Sequence, residues 1–172
     1  MKINKLSNNL INQIAAGEII ERPSSIVKEL IENSIDSGAR NINLHLQDGG
    51  ISGIIVEDDG SGIENDSLIN AVKNHSTSKI ESLNDLQNCL THGFRGEALA
   101  SISSVSNLKI NSRRKEDPFA KSLIRKDGKW ATFSSSRKPG TTVTVKELFY
   151  SIPVRKKFLK STSTELSHCK NT

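Results

Sequence analysis

Apolar positions recur every three or four residues in the first part of the chain and every second residue in the last. Leu10, Ile11, Ile14 and Ala15 repeat at helical spacing, with Gly17 as a stop. Pro23 stands where a first helical turn accepts it, and Ile26, Val27, Leu30, Ile31 and Ile35 mark an apolar stripe over a helix at 24–37. Gly38 ends that helix. Alternation then predicts strands at 41–47, through Ile42, Leu44 and Leu46, and at 51–57, through Ile54-Ile55-Val56. Gly49-Gly50 between them reads as a hairpin-type break. Beyond Gly93 comes a short helix through Ala98-Leu99-Ala100-Ser101-Ile102, then strands at 105–111, 119–125, 130–134 and 141–146. Ser134 to Gly140 is a turn between the last two. This order predicts an α+β two-layer sandwich rather than a doubly wound parallel sheet.

Composition narrows the picture. A chain of 172 residues fits one domain, and with aromatics at only 4% the core must be Ile, Leu and Val. No apolar run approaches the roughly 18 residues of a membrane helix. The start, Met1 to Leu6, lacks the apolar stretch of a signal peptide, so a spanning, secreted or collagen-like protein is not expected. Cys89 and Cys169 have no Cys-x-x-Cys spacing, and the four histidines lack metal-ligand spacing, which suits thiols in a reducing cytosol. Charge is divided unevenly. Residues 1–112 hold 9 basic and 14 acidic side chains, whereas 113–172 hold 15 and 5. A cation site in front and a polyanion contact behind would account for this, as would a merely solubilising rear surface.

Several segments carry candidate chemistry. At about 100° per residue, Glu29, Asn33 and Asp36 share one helix sector, with Val27, Leu30, Ile31 and Ile35 broadly opposite. Three oxygen-bearing side chains one turn apart can hold Mg²⁺, one carboxylate can orient a water as general base, or the sector is a solvated helix face. After the second strand comes Glu57-Asp58-Asp59-Gly60-Ser61-Gly62. A strand-end carboxylate followed by two glycines lets backbone approach a flat ligand, and Asp58 can accept from an exocyclic amine such as that of adenine. The bland alternative is an acidic turn; a calcium loop lacks its further ligands. Gly93-Phe94-Arg95-Gly96-Glu97-Ala98-Leu99 places paired glycines before a helix start, a phosphate-binding arrangement or an ordinary cap. It matches neither the Walker A nor the dinucleotide pattern. Ser76-Thr77-Ser78-Lys79 reads as a phosphate-contacting segment or an exposed loop, and Gly140-Thr141-Thr142 as hydroxyls beneath a base or a strand start.

In this order, Glu29, Asn33 and Asp36, then Asp58, Gly60 and Gly62, then Thr77-Ser78-Lys79, then Gly93 to Leu99, then Gly140-Thr141, the segments resemble the GHKL ATPase superfamily. That group includes gyrase B subunits, heat-shock chaperones, sensor histidine kinases and the MutL mismatch-repair family. Gln13 to Glu18, Gly93 to Leu99 and Phe149-Tyr150 through Phe158-Leu159 look specifically like the MutL family. Asn74, Ser151-Ile152 and Val154 depart from its usual residues.

The resemblance implies a two-layer α/β sandwich of the GHKL (Bergerat) type, a mixed sheet with helices on one face. It implies ATP and Mg²⁺ as ligands: Glu29 as general base, Asn33 on the metal, and Asp58 on the adenine amine, with Gly60, Gly62 and Thr142 near the base. Thr77, Ser78, Lys79 and Gly93, Phe94, Arg95, Gly96, Glu97, Ala98 and Leu99 would form the phosphate-contacting lid, with Asp36 in support. Arg155, Lys156, Lys157 and Lys160 would meet DNA phosphates, and binding would be weak, salt-sensitive and indifferent to sequence. The implied partners are duplex or single-stranded DNA, MutS, a nicking endonuclease, a helicase and a second copy after ATP binding. The implied setting is the cytoplasm, near the nucleoid. One ATP-binding domain would occupy 1–172, with the second subdomain, its γ-phosphate lysine and the C-terminal dimerisation domain lying outside it. Alternatives are a nucleotide- or DNA-binding remnant without turnover, and another GHKL function.

Overall fold

A computed structural model describes residues 19–73 and 97–172. Helix α1 (Pro23–Asp36) opens with Pro23 in its first turn, where the missing N–H costs nothing. Ser37 and Gly38 close it, with Gly38 N–H on the Ile35 carbonyl at 2.9 Å and Ala39 N–H on the Ser34 carbonyl at 3.2 Å. Strand β1 (Ile42–Gln47) alternates half-buried and exposed positions, and leads through a short 3₁₀ turn (Asp48–Gly50) into β2 (Gly53–Asp58). A second 3₁₀ turn (Asn70–Val72) follows the loop beyond β2. Helix α2 (Ala98–Val105) precedes β3 (Asn107–Arg113), β4 (Ala120–Lys126), β5 (Lys129–Ser135) and β6 (Gly140–Lys146). Two helices end the chain, α3 (Pro153–Lys156) and α4 (Thr162–Lys170).

The strands form one sheet in the order β1-β2-β6-β3-β4-β5. The α+β sandwich expected from the pattern is present, with one correction: all five pairings among the described residues are antiparallel, so the sheet they form is not mixed. Three pairings join sequence neighbours, whereas β6 returns to lie between β2 and β3. Val56 opposes Val143 and Ile110 also opposes Val143, so these side chains share a face. Against that face pack Ile26, Val27 and Leu30 of α1 and Ile102 and Val105 of α2, joined by Leu123, Val145, Leu148 and Phe149. Aliphatic side chains do supply most of this core, with Phe149 its one buried aromatic among the described residues.

Two local readings change. Gly49-Gly50 is more than a hairpin break, because a Cβ on Gly49 would strike the Thr162 carbonyl of α4. The turn is a platform for the last helix, and Cys169 of α4 points its thiol at the Gly49 carbonyl. Helix α4 itself carries little periodic signal, since Glu165 and Cys169 are its buried residues. Ser161 caps it by accepting from Thr164 N–H at 3.3 Å, and the buried Glu165 carboxylate accepts from Lys160 N–H at 2.8 Å.

Candidate functional site

Asp58 ends β2, between β1 and β6, on the helix-covered face, and is 7% exposed. Its Oδ1 accepts from Gly60 N–H at 3.0 Å and from Thr141 N–H at 3.1 Å. Its Oδ2 accepts from the Ser34 hydroxyl of α1 at 3.1 Å. A carboxylate offers about four acceptor positions. Three are filled among the described residues, and the remaining one is on Oδ2. The arrangement therefore presents one fixed, nearly desolvated acceptor.

Ser34 escaped the sequence reading. It takes the buried position on α1 that the apolar stripe assigned to Ile35, which is 53% exposed. The buried face of α1 is Pro23, Ile26, Val27, Leu30 and Ser34. Glu29, Asn33 and Asp36 therefore flank this face half-buried, rather than facing away from it into solvent. Asn33 is the immediate neighbour of the serine that touches Asp58.

Glycines and hydroxyls complete the surroundings. Gly60 is buried against Ser37, and Gly62 lies against the Arg113 carbonyl. Gly140 has φ +121°, and a Cβ there would collide with the Asp58 carbonyl, so no other residue lets β6 begin beside the end of β2. Ser112 is fully buried and was also missed. Its Oγ accepts from Ile63 N–H at 2.8 Å, donates to the Gly140 carbonyl at 3.2 Å and lies 2.9 Å from Thr141 Oγ1. It joins the loop after Asp58 to the start of β6. Thr142 is not at this place: it opposes Glu57 and Asn111, on the other face of the sheet. Thr141 is the residue beside Asp58, through its N–H.

Asp59, next along, serves the scaffold. Its carboxylate accepts from Asn41 Nδ2 at 2.7 Å, and from the backbone N–H groups of Asn41 at 2.9 Å and Arg40 at 2.8 Å. The Asn41 side-chain bond, then the two backbone bonds, hold its pKa down to about 2. Beneath the strand end, burial pulls the Arg137 guanidinium below its usual pKa, opposed by the charges of Asp58 and Glu57.

Of the residues expected in the phosphate-contacting lid, Glu97 flanks the start of α2 with its carbonyl accepting from Ser101 N–H at 2.8 Å, Ala98 begins the helix, and Leu99 packs on the core. Thr77, Ser78, Lys79, Gly93, Phe94, Arg95 and Gly96 lie outside the described residues, as does the stretch from Gln13 to Glu18. The basic turn stands apart from Asp58. Strand β6 runs from Gly140 beside Asp58 to Lys146, roughly 20 Å at about 3.4 Å per residue. Beyond it, Leu148 and Phe149 are buried, and Phe149 N–H bonds the Val105 carbonyl at 2.7 Å. That anchor leaves Lys156, Lys157 and Lys160 exposed and Arg155 half-buried, among the exposed Val154 and Phe158.

No cluster of three or more His, Cys, Asp or Glu suited to a metal occurs among the described residues. Mg²⁺ generally takes one or two protein oxygens and fills its shell with water and phosphate oxygens. The oxygens of Asn33 and Glu29, one turn apart and half-buried, fit an ion of that kind, delivered with phosphates.

A buried strand-end acceptor, flanked by helix carboxamide and carboxylate and by glycine-opened backbone, on an antiparallel sheet backed by helices, defines a class. A family profile described as histidine kinase-, DNA gyrase B-, and HSP90-like ATPase matches residues 21–147, and the chain belongs to that family. Within it, the likeness is to MutL. The DNA mismatch repair protein MutL of Neisseria meningitidis serogroup C (strain 053442) is 48% identical over 98% of this chain and 26% of its own length. That of Xanthomonas oryzae pv. oryzae (strain PXO99A) is 48% identical over 98% and 27%. Among solved structures, the Aquifex aeolicus MutL ATPase domain complexed with ADP has a TM-score of 0.71 and 32% identity, covering 89% of this chain and 53% of that one. The N terminal domain of a DNA repair protein reaches a TM-score of 0.76 at 32% identity, covering 93% and 46%. The resemblance read from the sequence is borne out: this is an ATPase region of the MutL type. It spans about a quarter of the length of the curated relatives it matches.

Proposed function

We propose that this chain binds ATP with Mg²⁺ and hydrolyses it as the nucleotide switch of a DNA mismatch-repair protein. The observation that carries the reading is the Asp58 carboxylate, held by three donors among the described residues, which leave one acceptor position on Oδ2. An adenine amine fits that position, with Thr141 beside it and Gly60 and Gly62 admitting the flat base. The ADP bound in the Aquifex MutL ATPase domain supports a nucleotide at this kind of site. Asn33 would hold the metal through its carboxamide oxygen, and the ion would supply neutralisation of phosphate charge. Glu29, on the same flank of α1, holds the attacking water and takes its proton. Thr77, Ser78, Lys79 and Gly93 to Leu99 close over the phosphates.

At the far end of the sheet, Arg155, Lys156, Lys157 and Lys160 contact DNA phosphates, with no aromatic reading of bases. ATP binding pairs two copies, and the pair relays mismatch recognition by MutS to a nicking endonuclease and a helicase. This work belongs in the cytoplasm, at the nucleoid. The domain assignment is one ATP-binding unit over residues 1–172.

The test is an ATP titration with Mg²⁺, followed by thermal melting and phosphate release. Ligand at 100 times Kd stabilises the fold by about 2.7 kcal/mol, and Asp58→Ala is expected to abolish that gain. Phosphate release that vanishes in Glu29→Ala, with binding retained, assigns hydrolysis to this chain. Binding without release selects the non-hydrolysing alternative, and no stabilisation by ATP overturns the reading.

A further inference from the structure

Arg137 stands in the turn between β5 and β6, and its side chain is 8% exposed. Nη2 donates to the Asp58 carbonyl at 3.0 Å and lies 4.0 Å from Glu57 Oε1. The Arg137 carbonyl in turn accepts from Arg113 Nη1 at 3.2 Å. Nε and Nη1 of Arg137 have no partner among the described residues. A buried guanidinium with donors left over costs stability, and an apolar side chain would fill the space at less expense. Stability therefore does not explain why a charge is placed here.

Its bond to the Asp58 carbonyl does. Asp58 is the last residue of β2, and strand ends fray. The bonds from Ser34, Gly60 and Thr141 orient the carboxylate, but only relative to a backbone that must itself stay in place. Arg137 ties the carbonyl of that residue with a charge-assisted bond, the stronger kind. The Asp58 residue is thus gripped from both sides, by neutral donors on the side chain and by a cation on the main chain. We infer that Arg137 is a positioning residue for base recognition, acting through the Asp58 carbonyl. The inference rests on Asp58 being the acceptor for the adenine amine.

That amine supplies the readout. Inosine triphosphate carries a carbonyl oxygen where ATP carries the amine, and an acceptor facing Asp58 Oδ2 is repelled. A well-placed Asp58 gives a high ratio of ATP to inosine triphosphate affinity, and a displaced one gives a low ratio. Loss of fold stability alone weakens both nucleotides equally and leaves the ratio unchanged. Calorimetric titration of both nucleotides into the 172-residue chain measures it. Arg137→Met is expected to lower the ratio about tenfold, the worth of roughly one hydrogen bond. Arg137→Lys, which keeps a cationic donor, is expected to restore part of it, and Glu57→Gln, which leaves the Asp58 contact intact, to leave it unchanged. An unaltered ratio in Arg137→Met, or equal weakening of both nucleotides, overturns the inference. If Arg137→Met does not fold, Arg137→Lys decides: an intermediate ratio supports the inference and a wild-type ratio overturns it. A wild-type chain without preference for ATP, or one whose preference survives Asp58→Asn, overturns the Asp58 reading and the inference with it. Wild-type preference lost in Asp58→Asn but kept in Arg137→Met overturns the inference alone.

Discussion

Ser34 shows how a single hydroxyl is worth more than its share of a helix face. Its Oγ is within bonding distance of both the Leu30 carbonyl, at 3.0 Å, and Asp58 Oδ2, at 3.1 Å. Ser34→Ala is expected to weaken ATP binding about fivefold to tenfold and to cost about 1 kcal/mol of stability, checked by calorimetry and by urea unfolding. The two adjacent threonines make a sharper contrast. Thr141→Val is expected to weaken ATP binding, because it removes the hydroxyl that meets Ser112 on the residue whose N–H holds Asp58, whereas Thr142→Val on the opposite face leaves it unaltered. Equal effects of the two would contradict the sheet register. Asp59 gives a pH signature. Bonding in the fold lowers its pKa from 3.8 to about 2, so its contribution is full well above the unfolded value and is lost as pH falls through about 2. The stability difference between wild type and Asp59→Asn is therefore expected at pH 5 to 7 and should shrink steadily as pH falls to and then through about 2, which acid titration of unfolding measures.

Elements differ in how visible they were beforehand. Helix α1 and the six strands announce themselves through apolar spacing near 3.6 and 2, although β5 buries no residue and β1 only half-buries its apolar side. Helix α4 does not, since it reaches the core through Glu165 and Cys169 and gains its place from the bareness of Gly49. That dependence is testable: Gly49→Ala puts a methyl group into the Thr162 carbonyl at a residue with φ +66°, and is expected to cost about 2 kcal/mol or more in urea unfolding. The site divides in the same way. Asp58, Glu29 and Asn33 could be named from motif spacing because they sit where the chain itself brings them. Ser34, Ser112 and Arg137 could not, since each acts on a residue far along the sequence. Thr142 was preferred to Thr141 because two neighbouring threonines look alike until the sheet assigns each a side.

The whole molecule holds its candidate nucleotide site and its basic turn about a strand length apart. Asp58 lies at one end of β6, and the basic turn is anchored beyond the other end by Leu148 and Phe149. This separation allows mutations at one end to be read without disturbing the other. Lys156→Ala with Lys157→Ala is expected to weaken duplex DNA binding and to reduce the slope of log affinity against log salt by about 2, while ATP stabilisation stays at the wild-type value. A salt-independent affinity in the parent chain would refute phosphate contact altogether.

The late return of β6 also bears on how the chain becomes active. The hairpin β1–β2 and the meander β3–β4–β5 join sequence neighbours, so both can form early from local contacts. Pairing β6 into the gap joins Glu57 to Thr142, a closure across much of the chain that must be slow relative to hairpin formation. The same closure delivers Thr141 N–H to Asp58 and sets Gly140 on its carbonyl. Folding and the birth of the binding site are then one kinetic event: a refolding chain would acquire most of its β-structure first and its affinity for nucleotide only with the final strand.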